Sequence, residues 1–192
     1  MLKQRIRDSV TALKNFARHP LDEVARLPDW SFKHVAVVQL IIAAVSGVLA
    51  GFMDPGFWKV LQGLILFPVF ALILNLLLSS FFYYYFQIFE RRTVSFQKLF
   101  ALVFFASLPF FLFHVASYVF VIADLFGLAM TAVLFVIGLT ENFQLHKKRS
   151  LRLIAVIFSL LFLLWVMERI SSARRDQAFL TWIDGSRGPA KS

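Results

Sequence analysis

The sequence predicts an all-α, polytopic integral membrane protein: a bundle of five transmembrane helices with an amphipathic N-terminal interfacial helix. Three observations predict it. Apolar residues fill 59% of the 192 positions, and the mean hydropathy is +0.74, beyond what a soluble domain of this size carries. Between Lys33 and Met167 the apolar residues fall into runs long enough for a hydrocarbon core of about 30 Å, which needs roughly 20 residues per helix. Polar and basic residues punctuate these runs, so the close spacing leaves no room for a soluble module. Three regions result: a basic amphipathic helix and linker over 1–32, a transmembrane domain over 33–167, and a polar tail over 168–192.

Leu2, Ile6, Val10, Leu13 and Phe16 recur at helical spacing, while Lys3, Arg7, Lys14 and Arg18 occupy other positions. That pattern is a basic amphipathic helix, which Pro20 ends. Its apolar stripe can lie on lipid headgroups or pack on the protein's own loops, because both bury the same residues. Asp22, Glu23 and Pro28 mark a polar connection, and Trp30 stands as an interfacial aromatic before a first span at about 34–52. Asp54-Pro55-Gly56 turns the chain. The run from Phe57 to Phe89 would extend about 50 Å as one helix. Gly63 and Pro68 divide it into an interfacial piece anchored by Trp58 and a second span at about 64–85, with Phe81 to Tyr85 as an aromatic belt.

After the charged Glu90-Arg91-Arg92 loop, Ser95 caps a third span at about 96–118 that contains Pro109. A fourth span follows at about 122–143, with Ser117, Asp124 and Gly127 as the cues for the turn between them. Gln144 to Arg149 forms a basic loop, and a fifth span runs over about 151–167. From Glu168 the chain is polar, and Gly185, Gly188 and Pro189 suggest a loose terminus.

Lys and Arg alternate between successive loops. Seven precede the first span, Lys59 alone follows it, Arg91, Arg92 and Lys98 follow the second, none follows the third, and Lys147, Lys148, Arg149 and Arg152 follow the fourth. The alternation favours a cytoplasmic amino terminus, as in a multi-pass protein of a bacterial inner membrane. Five spans then place the tail outside despite Arg169, Arg174, Arg175, Arg187 and Lys191, with the earlier spans fixing topology. The formal charge of +9 therefore reads as contact with anionic lipid rather than with nucleic acid. The first 30 residues lack an uninterrupted apolar core, so the first span is expected to act as the insertion signal.

Several short stretches, in order, carry a resemblance. These are Phe16-Ala17-Arg18-His19-Pro20, then Phe67-Pro68, Ser95-Phe96 and Ala106-Ser107-Leu108-Pro109, and then Gly138-Leu139 through Lys148-Arg149-Ser150. Over roughly Phe16 to Trp165 the chain resembles the Ypt-interacting protein group, or Yip-one domain family, in its bacterial branch. The resemblance implies five membrane helices and a cytoplasmic amino terminus, and in eukaryotic relatives a role in vesicle traffic and membrane shaping. Those relatives carry an Asp-Leu-Tyr-Gly-Pro stretch and a Gly-Tyr pair. Here Asp124-Leu125-Phe126-Gly127 comes too late, and Ala106-Ser107 stands where the pair would be, so small-GTPase binding is not carried over.

Polar groups inside a bilayer are costly and mark candidate sites. They are Gln39, Asn75, His114 and Asp124. Asn75 can bond across helices or to carbonyls freed by Pro68. His114 can exchange protons or simply pack. Asp124 reads most simply as a turn residue, and as a buried acid beside His114 only if the third and fourth spans form a tight hairpin. Gly47 and Gly51 permit close helix approach, within the chain or in a homo-oligomer. Ser79, Ser80 and Ser107 lack a Gly-x-Ser-Gly setting, and His-Glu-x-x-His and a glycine-rich phosphate loop are missing. With no cysteine either, no catalytic residue, metal or cofactor is expected. The expected membrane-surface contacts are Lys3, Arg7, Lys14, Arg18, Arg91, Arg92, Lys147, Lys148 and Arg149, and the expected partners are the bilayer and a membrane or cytoplasmic protein. The leading expectation is a non-enzymatic organiser of membrane or partner proteins. The alternative is a small permease or channel using the proline-kinked second and third spans.

Overall fold

The computed structural model describes residues 2–53, 57–117, 120 and 122–186, with side chains for 7–53, 57–58, 60–117, 120, 122–167, 170 and 171. Every described element is a helix: α1 (Leu2–Arg18), α2 (Pro20–Ala25), α3 (Phe32–Met53), α4 (Phe57–Ile88), α5 (Phe96–Ser117), α6 (Ala123–Phe143) and α7 (Lys147–Ser186). Among the described residues, five segments are long and apolar enough to cross a bilayer: Phe32–Met53, Val60–Ile88, Phe96–Ala116, Ala123–Phe143 and Lys147–Met167. The chain is a multi-pass membrane protein.

It divides into two compact units, one through Leu151 and one from Arg152. In the first, α5 is the central helix. Leu99 to Ala106 are buried on every side, which an all-apolar helix tolerates and an amphipathic one does not. Around it pack α3, α4 and α6, joined by aromatic contacts such as Phe82 on Phe135 at 5.5 Å and Phe86 on Phe143 at 5.6 Å. The second unit consists of the helical continuation of α7 through Ser186.

Four expectations need correction. Pro20 does not lead into a linker: it opens α2 at a position where its missing N–H costs nothing, with Asp22 and Glu23 favourably placed in the first turn. Gly63 does not divide the second long run either, for α4 continues through it and through the buried Pro68. At 32 residues α4 spans about 48 Å, so it must tilt or project beyond the hydrocarbon. The polar segment from Glu168 is helical through Ser186 rather than loose. Asp124 lies in the first turn of α6 and not in a turn between helices. The Asp54-Pro55-Gly56 turn, Tyr118, Gly188 and Pro189 lie outside the described residues.

One helix end is built as the sequence suggests, and two use left-handed residues other than glycine. The Ser95 hydroxyl accepts the Lys98 amide at 3.4 Å, a side-chain cap on α5. At the ends of α4 and α6, Arg91 and Gln144 adopt left-handed conformations with φ of 51° each. The next residues then donate back to the helices, Arg92 to the Phe86 carbonyl at 3.1 Å and Leu145 to the Leu139 carbonyl at 3.2 Å.

Candidate functional site

Three sites emerge in the first unit, the first being a basic end of the bundle. The amino-terminal arm docks there by its edge. Phe16 is buried against Phe105 with ring centroids 5.9 Å apart, and Ser9 Oγ lies 2.8 Å from His34 Nε2. Val24 is wholly buried, its carbonyl accepting the Asn142 amide at 2.7 Å. A Cβ on Gly138 would strike the Leu102 side chain and lie 2.9 Å from a Val24 methyl, so glycine lets both α5 and the arm come close to α6 here. Trp30 packs on Phe105 at 5.4 Å, and its carbonyl accepts from Gln97 Nε2 at 2.6 Å.

Docking through Ser9 and Phe16 leaves another face of α1 free. Arg7, Val10, Lys14 and Arg18 are exposed at helical spacing, Val10 by 58%. Arg91 and Arg92 are exposed in the loop after α4; Lys147, Lys148 and Arg149 are exposed too, in the first turn of α7 rather than in the expected loop, which spans only 144–146. Arg149 Nη1 ties the start of α7 to the loop after α4 by donating to both Glu90 carboxylate oxygens at 2.9 and 3.1 Å. The side chain of Lys3 lies outside the described residues.

The second site is a buried polar cluster between α3 and α4. Gln39, only 1% exposed, donates from Nε2 to the Ala71 carbonyl at 3.0 Å. Its Oε1 accepts from Asn75 Nδ2 at 2.6 Å, and Asn75 Oδ1 accepts from the Ser79 hydroxyl at 3.1 Å. Asn75 therefore bonds across helices rather than to a carbonyl freed by Pro68. Ser46 makes a separate buried bond to the Phe111 carbonyl at 2.8 Å. Ser79 was weighed from sequence only as a nucleophile and Ser46 not at all, although hydroxyls in apolar runs are the available signal.

The third site lies at the opposite end of the spans. Here α5 and α6 form the tight hairpin, bringing His114 Nδ1 to 3.4 Å from Asp124 Oδ1. The imidazole stacks on Phe67 at 5.3 Å and on Phe110 at 5.9 Å. The side chains are 27% and 14% exposed, so the pair is half-enclosed. Gly127 lets α6 approach, since a Cβ there would sit 2.8 Å from Phe113 Cβ.

His114 also borders a cleft of about 730 Å³ whose remaining wall comes from α3 and α4, including Gly47, Ala50, Gly51 and Gly63. Gly47 and Gly63 meet backbone to backbone, and a side chain on either would strike the other's carbonyl. A Cβ on Gly51 would lie 2.8 Å from Val60 Cα. The small residues of α3 thus serve internal packing, with Gly63 as the partner that sequence reading had assigned to a helix boundary.

Among the described residues, no three His, Cys, Asp or Glu side chains gather as a metal site. Comparison with curated proteins finds no match. Comparison with solved structures likewise finds none. The family model of the Yip1 domain matches residues 14–168, from the second half of α1 into α7. Over that length the match takes in the docking residues Phe16, Val24 and Trp30, both polar sites and all five apolar segments, and the chain belongs to the Yip1 domain family.

Proposed function

We propose that this protein is a non-enzymatic organiser of the membrane, gathering anionic lipid and a protein partner at its basic end. The observation that carries this reading is the outward face of α1. The helix is held by Ser9 and Phe16, yet Arg7, Val10, Lys14 and Arg18 remain exposed. An apolar side chain among cations on one helical face suits the headgroup boundary, where each Lys or Arg near an anionic surface contributes about 1 kcal/mol. The exposed cations after α4 and at the start of α7 extend the same surface. Under this reading the basic end, amino terminus included, faces the cytoplasm, and the host bilayer is a bacterial inner membrane.

Giant vesicles of phosphatidylcholine with a minor fraction of fluorescent phosphatidylglycerol provide the test. The reconstituted full chain should enrich the anionic lipid around itself. Arg7→Glu, Lys14→Glu and Arg18→Glu together should remove most of that enrichment, as should about 1 M salt, where the Debye length falls to about 3 Å. Enrichment indifferent to both would defeat the reading. A permease is less well supported, because Gln39, Asn75 and Ser79 satisfy one another inside the helix pair. Solute flux through sealed proteoliposomes that Asn75→Ala alters would favour it.

A further inference from the structure

We propose that the cleft between α3 and α4 binds one glycerophospholipid, with its glycerophosphate at Gln62 and His114 and one acyl chain along Leu66, Val69, Phe70 and Ile73. This goes beyond the basic-end reading and concerns the other end of the spans. The cleft, about 730 Å³, falls within the range of small-molecule sites. Its floor is low because Gly47 and Gly63 meet without side chains between them.

Its lining changes character along α4. Gln62 is exposed at one end beside the His114 imidazole, and the residues from Leu66 onward are apolar. An amide exposed to hydrocarbon costs free energy unless something hydrogen-bonds it. A phosphodiester or ester oxygen at the headgroup boundary can accept from that amide. His114, fixed by Asp124 and flanked by two phenyl rings, adds a polar wall at the same level. Below it, Leu66, Val69, Phe70 and Ile73 follow one helical face and are all exposed.

Length selects the occupant. From Gln62 to Ile73 the helix rises about 16 Å, close to half of a 30 Å hydrocarbon core. That is the depth of one leaflet, hence of one lipid. A helix from a second copy would cross both leaflets and need a groove continuing past Ile73, the last residue of α4 that lines the cleft.

The full chain reconstituted in phosphatidylethanolamine and phosphatidylglycerol vesicles, with a trace of phospholipid bearing an acyl-chain diazirine, tests the proposal on irradiation. Adducts mapped by peptide mass spectrometry should favour the segment 66–73 over 77–84 at least fivefold. V69W, which fills the cleft, should lower the adducts at least fivefold, and Q62L about threefold, with L77W leaving them unchanged. Probes with ethanolamine and glycerol headgroups should label alike, because the contacts involve only the shared glycerophosphate. Equal labelling of both segments, or no response to V69W, would mean ordinary boundary lipid and overturn the proposal. Because the chain has no cysteine, V69C supplies a unique thiol; ready disulfide linkage of two V69C copies would seat a second chain in the cleft and overturn it equally. None of these variants touches the basic end, so the outcome is separable from that of the vesicle experiment.

Discussion

Asn75 donates to one amide and accepts from one hydroxyl, all within a buried space that offers no water in exchange. Asn75→Ala should therefore destabilise the first unit by about 1–2 kcal/mol, read as unfolding in mixed micelles with denaturing detergent. A double-mutant cycle with Gln39→Ala should return a coupling of about 0.6–1.7 kcal/mol; a value near zero would show that the two amides find replacement partners. Gln144 supplies a prediction of opposite sign. A side chain at φ 51° carries a strain of about 1 kcal/mol that glycine avoids, so Gln144→Gly should raise the melting temperature of the detergent-solubilised protein. Arg91 has the same backbone conformation and a cation on the proposed lipid surface. Arg91→Gly should therefore separate the two properties, stabilising the fold and weakening enrichment of phosphatidylglycerol.

Helix identity was legible because hydropathy and length select it without knowledge of neighbours. Helix rotation was not. Gln39 and Asn75 are 36 positions apart, and only the angle at which α3 and α4 face each other decides whether they meet or turn to lipid. The same angle makes Gly63 a contact partner of Gly47, where sequence alone offered a boundary. In α2, the acidic residues after Pro20 were read for their polarity and not for their place in a first helical turn. The α3–α4 contact has its own test. Gly63→Leu should force the helices apart, costing about 1–3 kcal/mol or more, whereas Leu64→Ala on the exposed side should change little. Thermal unfolding of both variants in one detergent checks this, and equal losses would contradict the close approach.

Within the first unit, Arg7, Lys14, Arg18, Arg91, Arg92 and Lys147 to Arg149 lie toward one end of the spans, and the His114–Asp124 pair with the cleft lies at the other. Family and bilayer residence were legible from composition and order of motifs; which ends of which helices share a surface required the three-dimensional arrangement. Orientation is directly measurable. Single cysteines introduced after Arg92 and Arg149 should be shielded from a membrane-impermeant maleimide in intact cells and react once the membrane is opened. A cysteine after Ser192 should react in both cases if five segments cross. Labelling of the Arg92 site in intact cells would invert the proposed topology.

The bond from Asn142 to the Val24 carbonyl joins residues 118 positions apart. On a ribosome adding about 5–20 residues per second, the arm would emerge roughly 6–24 s before its receptor exists. Throughout that interval Val24 has no docking site in α6, and the exposed cations of the neighbouring α1 would meet whatever the nascent chain encounters first. Attachment of α2 thus reports completed synthesis of α6, and a chain truncated before Gly138 would leave Val24 undocked, a state open to recognition by cellular quality control.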